Sequence, residues 1–268
     1  MSLPKEIIVA KVGSSQLVRE CESGNKEVDA ESFWRLGKQF TDLIHDGYGL
    51  AVVSSGAMAV GQVVTGSHER LDRTNPADWA RLQRFAGIGW GHILLCWADA
   101  TCGTTNASML LTRTALDAGE DTRTEALSTV RQHMVHRDLL IVNENDAIAH
   151  EEIAYGDNDI LAAIFAKHVA VSTGVPTHLV MLTDTNGVYA DINDPGTQIP
   201  VIDDIEAFRR VLTADGEGFG LGSMDSKFDA ELIAGPAGVK TVIANGREEN
   251  VLAQAIAGQT GTRFSVTY

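Results

Sequence analysis

Apolar residues along this chain follow two rhythms that alternate. Short unbroken apolar runs recur at residues 6–13, 50–53, 139–142, 178–182 and 239–244, and each reads as a strand buried on both faces. Between them the apolar positions fall three or four apart. Phe33, Leu36, Phe40, Leu43 and Ile44 predict a helix over 29–46, and the same spacing predicts helices over 122–136, 160–171 and 205–212. Residues 76–100 read as one helix or a helix pair, interrupted by Gly87, Gly89 and Gly91. A short strand is expected at 108–112, a helix from Ser226 and a last helix from Glu248. Strands alternating with helices predict an α/β fold around a mainly parallel sheet. No repeat or linker divides the chain, so a single domain over 1–268 is expected.

Polar clusters stand where the apolar runs stop. Gly13-Ser14-Ser15 follows the first strand and Ser54-Ser55-Gly56 the second, with Asn143-Glu144-Asn145-Asp146 and Thr183-Asp184 after two later ones. Ligands of open parallel sheets bind beyond the carboxyl ends of the strands, which makes these four loops one site. The densest stretch is 141–163. It carries the NEND cluster and then Gly156-Asp157-Asn158-Asp159 before an apolar helical run. So many polar groups at a strand end and a helix start are costly unless they bind something.

Charge and composition restrict what that something is. The 268 residues carry a formal net charge of −15, which argues against nucleic-acid or anionic-membrane partners. An anionic substrate would need a local positive field from a few lysines and helix N-termini. No apolar run reaches the ~20 residues of a membrane helix, and the start MSLPKE has no hydrophobic signal region. Cys21, Cys96 and Cys102 form no CxxC pair and read as thiols of a reducing cytoplasm. The eight histidines show no metal spacing; His133 and His136 are expected to face solvent, and no metal-ligating residues are assigned.

Lys11-Val-Gly13-Ser14-Ser15 offers backbone N–H groups and a charge to an oxyanion, but a plain strand-to-helix turn would look the same. Ser54-Ser55-Gly56-Ala57 has the same ambiguity with an N-cap. Residues 216–227, GEGFGLGSMDSK, read as a flexible loop ending on Lys227 at a helix start. No GxxxxGK[ST] loop occurs, and Gly87-Ile-Gly89-Trp90-Gly91 follows a helical stretch rather than a strand. Close helix packing is the expected use of those glycines. Two lysines on separate loops, glycine-rich backbone, hydroxyls and no evident base suit phosphoryl transfer from ATP to a carboxylate. Such an acceptor is already ionised at neutral pH, with a pKa of about 4.3, so catalysis reduces to positioning and charge neutralisation. The Asp and Asn groups of NEND and GDND would hold an ammonium and orient the lysines.

Seven segments in order carry a resemblance: KVGSS (11–15), VSSGA (53–57), MLLTR (109–113), VNEND (142–146), GDND (156–159), LTD (182–184) and MDSK (224–227). Together they resemble the glutamate 5-kinases of the amino acid kinase family, over 7–264. That resemblance implies a three-layer α/β/α sandwich, with an acceptor-binding part over roughly 1–175 and a nucleotide-binding part over roughly 176–268. It implies ATP and Mg2+ as cofactors, L-glutamate as acceptor in proline biosynthesis, and a homo-oligomer, dimer or tetramer. Lys11 and Lys227 would flank the transferring phosphoryl group with Asp159 orienting both. Ser55, Gly56, Asp146 and Asn158 would hold the glutamate, with Asn143 in support. Gly13, Ser14, Thr183, Asp184, Gly222, Ser223 and Met224 would contact the nucleotide. Three departures stand out: Gly220-Leu-Gly-Ser-Met224 replaces the family's GTGGM, Trp90 stands where a glutamine is usual, and 117–127 replaces an arginine-rich stretch. The last two are expected to reshape the acceptor pocket. Many members also carry a C-terminal PUA domain, which this sequence does not include. Another small acid as acceptor, or a catalytically silent amino acid or nucleotide sensor, are the rival readings.

Overall fold

The computed structural model describes residues 2–21, 24–117, 120–148, 158–191, 193–214 and 221–268, with the side chains of 210–214 and 221–223 excepted. Its strands are β1 (Ile7–Val12), β2 (Val18–Glu20), β3 (Lys26–Val28), β4 (Gly49–Ser54), β5 (Asn106–Leu111) and β6 (Leu139–Glu144), then β7 (Thr177–Thr183), β8 (Val188–Tyr189), β9 (Gln198–Ile199), β10 (Val201–Ile202), β11 (Lys240–Asn245) and β12 (Thr262–Phe264). Its helices are α1 (Ala30–His45), α2 (Ala57–Val64), α3 (Pro76–Ala100), α4 (Arg113–Asp117), α5 (Glu120–His136), α6 (Asn158–Thr173), α7 (Ile205–Ala214), α8 (Leu221–Ala234) and α9 (Val251–Ile256).

Eight strands form one sheet in the order β10-β12-β11-β7-β1-β4-β6-β5. All neighbours are parallel except β11 and β12. Alternation along β1 sorts its side chains between two cores. Ile8, Ala10 and Val12 point to the layer of α1, α2, α3 and α9, while Ile7 and Val9 point to the layer of α4 to α8. The expected three-layer sandwich is what forms. Because a strand covered on both faces is apolar on both, the unbroken runs of the sequence mark these central strands.

Residues 76–100 make one continuous helix, started by Pro76 in the first turn and by Asn75 Oδ1 accepting from the Ala77 N–H. Its indole Trp97 packs edge-on to Phe33, with ring centroids 4.5 Å apart, and against Phe40 at 5.2 Å. The glycines of α3 divide in use. A Cβ on Gly89 would lie 1.8 Å from the Ala57 carbonyl oxygen, and one on Gly61 of α2 would lie 1.9 Å from that of Phe85. These two carry the expected close helix packing, whereas Gly87 and Gly91 have nothing within 4 Å of an added Cβ. Trp90 is buried in the core formed with α1, α2, α3 and α9.

Other differences have simple physical origins. The hairpins β2–β3 and β8–β9 and the strands β10 and β12 at one end of the sheet have only two or three residues each, too few for a periodic signal. Helix α8 starts at Leu221 rather than Ser226, because the spacing of Leu221, Met224 and Phe228 outweighs the glycine at 222. The described residues of 117–127 lie in α4 and α5, on the layer packed against α6, and Asp117 sits 3.6 Å from His168. His133 is half-buried and paired with Asp138 at 2.9 Å instead of facing solvent.

Two substitutions within one turn of α3 separate packing from propensity. Gly89→Ala forces α2 and α3 apart and should destabilise the fold by about 1–3 kcal/mol. Gly91→Ala meets only open space and should stabilise it by about 0.5–1 kcal/mol. Urea denaturation of both variants checks the pair.

Candidate active site

The centre of the site follows from the period of β1. Lys11 shares the face of Ile7 and Val9, so its side chain runs under α6 toward α8, and the residue is only 7% exposed. Asp159, the second residue of α6, is fully buried there. Lys11 Nζ lies 2.6 Å from Asp159 Oδ1, and Lys227 Nζ from α8 lies 2.9 Å from Oδ2. Ser226 Oγ donates to the same Oδ2 at 2.9 Å. Burial alone would push the Asp159 carboxyl up; the charges and hydrogen bonds of the two lysines outweigh it and hold the carboxyl below the usual range. One ionised carboxylate between two ammonium groups leaves a local excess of positive charge in a chain that is acidic overall. The structure brings Lys11, Asp159 and Lys227 into direct contact.

A cleft opens beside this centre, lined by Ser14, Ser55, Gly56, Asn143, Asp146 and Asn158, with the first turn of α2 and Arg73. The carboxyl ends of β1, β4 and β6 deliver these groups in register, Val12 beside Ser54 and Val53 beside Val142. Asn158 Nδ2 donates to Asn143 Oδ1 at 2.7 Å and reaches the Ser54 carbonyl at 3.5 Å. The Ser55 N–H donates to the Val12 carbonyl at 2.9 Å, while its buried Oγ has no hydrogen-bond partner among the described residues. Gly56 has φ +90° and starts α2 without a side-chain cap. Its left-handed backbone, with Ser14 Cα 3.3 Å from a would-be Cβ, is what turns the chain so that the first N–H groups of α2 remain available. Asp146 is half-buried. Burial pushes its carboxyl up to about 6, against the lowering effects of the Arg73 charge and an Asn143 hydrogen bond.

Thr183 and Asp184 end β7 on the other side of β1. Asp184 Oδ1 accepts from Gln16 Nε2 at 2.6 Å and from Arg247 Nε at 3.2 Å. Gln16 Nε2 also donates to the Thr183 carbonyl at 3.2 Å, and Arg247 Nη2 to that of Ser15 at 3.2 Å. The loop after β1 is thereby tied to the loop after β7. Gly13 lies against the end of β7, where a Cβ would be 3.7 Å from the Leu182 carbonyl oxygen. Met224 is half-buried in α8, and Gly222 and Ser223 belong to the first turn of that helix. Ser14, expected on the nucleotide side, lines the cleft with Ser55 and Asp146. Gly156 and Asp157 of the GDND motif lie outside the described residues.

Four functional candidates were not visible in the sequence: Gln16, Arg73, Ser226 and Arg247. Each depends on a partner distant in the chain or on the phase of a helix, and none has a local signature. Among the described residues no three His, Cys, Asp or Glu side chains gather in a way that could hold a metal ion. No helix among them is long and apolar enough to cross a membrane.

The family model for the amino acid kinase family matches residues 6–245. Glutamate 5-kinase of Thermus thermophilus is 34% identical over 263 residues, covering 96% of this chain and 66% of the relative. Glutamate 5-kinase of Vibrio vulnificus is 35% identical over 272 residues, covering 98% of this chain and 67% of the relative. The chain therefore spans about two thirds of the length of these relatives. Among solved structures, Giardia carbamate kinase superposes with a TM-score of 0.62 at 16% identity, over 97% of this chain and 98% of that one, and supports the fold. With the family model covering most of the sequence and the fold agreeing, the chain belongs to the amino acid kinase family.

Proposed function

We propose that the protein transfers the γ-phosphoryl group of ATP to the side-chain carboxylate of L-glutamate, giving γ-glutamyl phosphate and ADP, the first step of proline biosynthesis. The buried Lys11–Asp159–Lys227 constellation carries this reading, supported by the relatives named glutamate 5-kinase. A carboxylate oxygen of the acceptor attacks the γ-phosphorus while the bond to the β,γ-bridging oxygen breaks, and ADP leaves with that oxygen. No proton has to move, so the site needs no base. Negative charge gathers on the transferring group and on the leaving oxygen, and the two ammonium groups held by Asp159 meet it.

The carboxyl ends of β1, β4 and β6 form the acceptor part, roughly 1–175, and β7 with the elements after it forms the nucleotide part, roughly 176–268. The division agrees with the sheet order, in which β1, β4, β6 and β5 lie on one side and β7, β11, β12 and β10 on the other. Asp146 would accept from the glutamate ammonium, and Ser55 and Asn158 would fix the substrate backbone. Gly13, Thr183, Asp184, Gly222, Ser223 and Met224 would cradle the nucleotide. Mg2+ is held in such sites largely by the nucleotide phosphates and water, with one or two carboxylates at most, so a dedicated cage is not required. We infer a cytoplasmic homo-oligomer, a dimer or tetramer; the three cysteines, none in a disulfide, suit a reducing compartment.

Purified protein with ATP, Mg2+, L-glutamate and hydroxylamine should form γ-glutamyl hydroxamate. Product with a different acid only would move the acceptor assignment, and binding without turnover of any acid would make the protein a sensor. Lys227→Ala should lower kcat by ~10²-fold or more through lost charge stabilisation; an unchanged kcat would remove Lys227 from the mechanism. The pH profile tests Asp146. Its carboxylate is ionised above about pH 6 and neutral below, so kcat/KM for glutamate should be level above that pH and fall below it. Asp146→Asn should raise KM and abolish that limb; an intact limb in this variant would assign it to another group.

A further inference from the structure

The acceptor cleft contains one charged group that the reaction has not used. Arg73 stands in the connection between α2 and α3 and lines the same cleft as Ser55, Asn143, Asp146 and Asn158. Its side chain makes no hydrogen bond or ion pair with another described residue, in contrast to Arg81 nearby, which is committed to Asp78 and, at 2.9 Å, to Glu69. The backbone that presents Arg73 is fixed. Trp79 Nε1 donates to the Arg73 carbonyl at 2.9 Å. The Asp72 N–H donates to the buried Asp78 carboxylate at 2.9 Å. Asp72 Oδ1 accepts from the Thr74 N–H at 2.8 Å and from its hydroxyl at 2.7 Å, closing the turn. An exposed guanidinium on an anchored turn, with no hydrogen bond or ion pair to another described residue, is available to an anion.

Charge pattern identifies the anion. Among the described residues lining the cleft, only Asp146 and Arg73 are charged. They are close enough that the Arg73 charge acts on the Asp146 carboxyl. A negative and a positive group side by side complement an α-amino acid head, whose ammonium and carboxylate share one carbon. Lys11 and Lys227 are held by Asp159 at the phosphoryl centre and serve the far carboxylate. We propose that Arg73 binds the α-carboxylate of the acceptor, so that the cleft selects a whole zwitterionic head group with a second carboxylate at its other end. The proposal rests on the glutamate reading of the site and names its determinant of α-carboxylate specificity.

The test compares two acceptors that differ only at that group: L-glutamate and its α-amide, isoglutamine, which keeps the γ-carboxylate. ADP formation is measured for the full chain, Arg73→Gln and Arg73→Lys, with thermal melting as a check on folding. Losing a hydrogen-bonded charge partner should raise KM for glutamate by about 10- to 100-fold in Arg73→Gln with a smaller change in kcat. The preference for glutamate over isoglutamine should collapse toward unity in that variant and be partly restored in Arg73→Lys, which keeps the charge and loses the fork. An unchanged preference in a folded Arg73→Gln enzyme that still uses glutamate would overturn the Arg73 assignment and leave the kinase reading standing. A wild-type protein inert toward glutamate would overturn the kinase reading and this inference with it.

Discussion

One buried carboxylate organises this molecule. Asp159 holds a lysine from the first strand and a lysine from a helix more than two hundred residues later, each within 3 Å. Without it two ammonium groups would share a buried space, and their repulsion would either expel them or drive off their protons. With it both are held to one carboxylate. A buried ion group of this kind is poor value as a stability device, because desolvation offsets most of the attraction. Its worth is electrostatic: it prepares positive potential in a protein whose formal charge is −15, where a diffuse surface field would repel ATP and glutamate alike.

The sheet explains how residues so distant in sequence meet. Lys11 is placed by strand alternation, Asp159 by the start of the helix after β6, and Lys227 by the inward face of α8. The central position of β1, between β4 and β7, puts the end of that strand at the border of the acceptor and nucleotide parts proposed above. The Gln16–Asp184–Arg247 hydrogen bonds reinforce the border, since they fasten the loop after β1 to the loops after β7 and β11.

What the sequence disclosed and what it concealed have the same cause. Central strands are apolar on both faces, so β1, β4, β6, β7 and β11 show as unbroken runs, and their polar ends show as clusters. Hairpin β2–β3 carries Arg19, Glu20, Lys26 and Glu27 in three-residue strands and looks like any polar connection. Trp90 could be placed near the site by position in the chain, but its direction depends on the phase of α3, which points it into the core. Arg73 sits among other arginines, Arg70 and Arg81, with nothing local to distinguish it. Only the ion pairs that occupy Arg81 and the hydrogen bonds that fix the Arg73 turn make the difference.

The contact between Gly61 and Gly89 has a consequence for selectivity. It presses α2 and α3 together backbone to backbone, and α2 is the helix whose first turn floors the acceptor cleft, while the connection between the same two helices carries Arg73. The glycines therefore act as a spacing gauge. They fix the separation of α2 and α3, and with it the spacing between the first turn of α2 and the connection that carries Arg73. The shape of the cleft thus depends partly on residues that are not among those lining it.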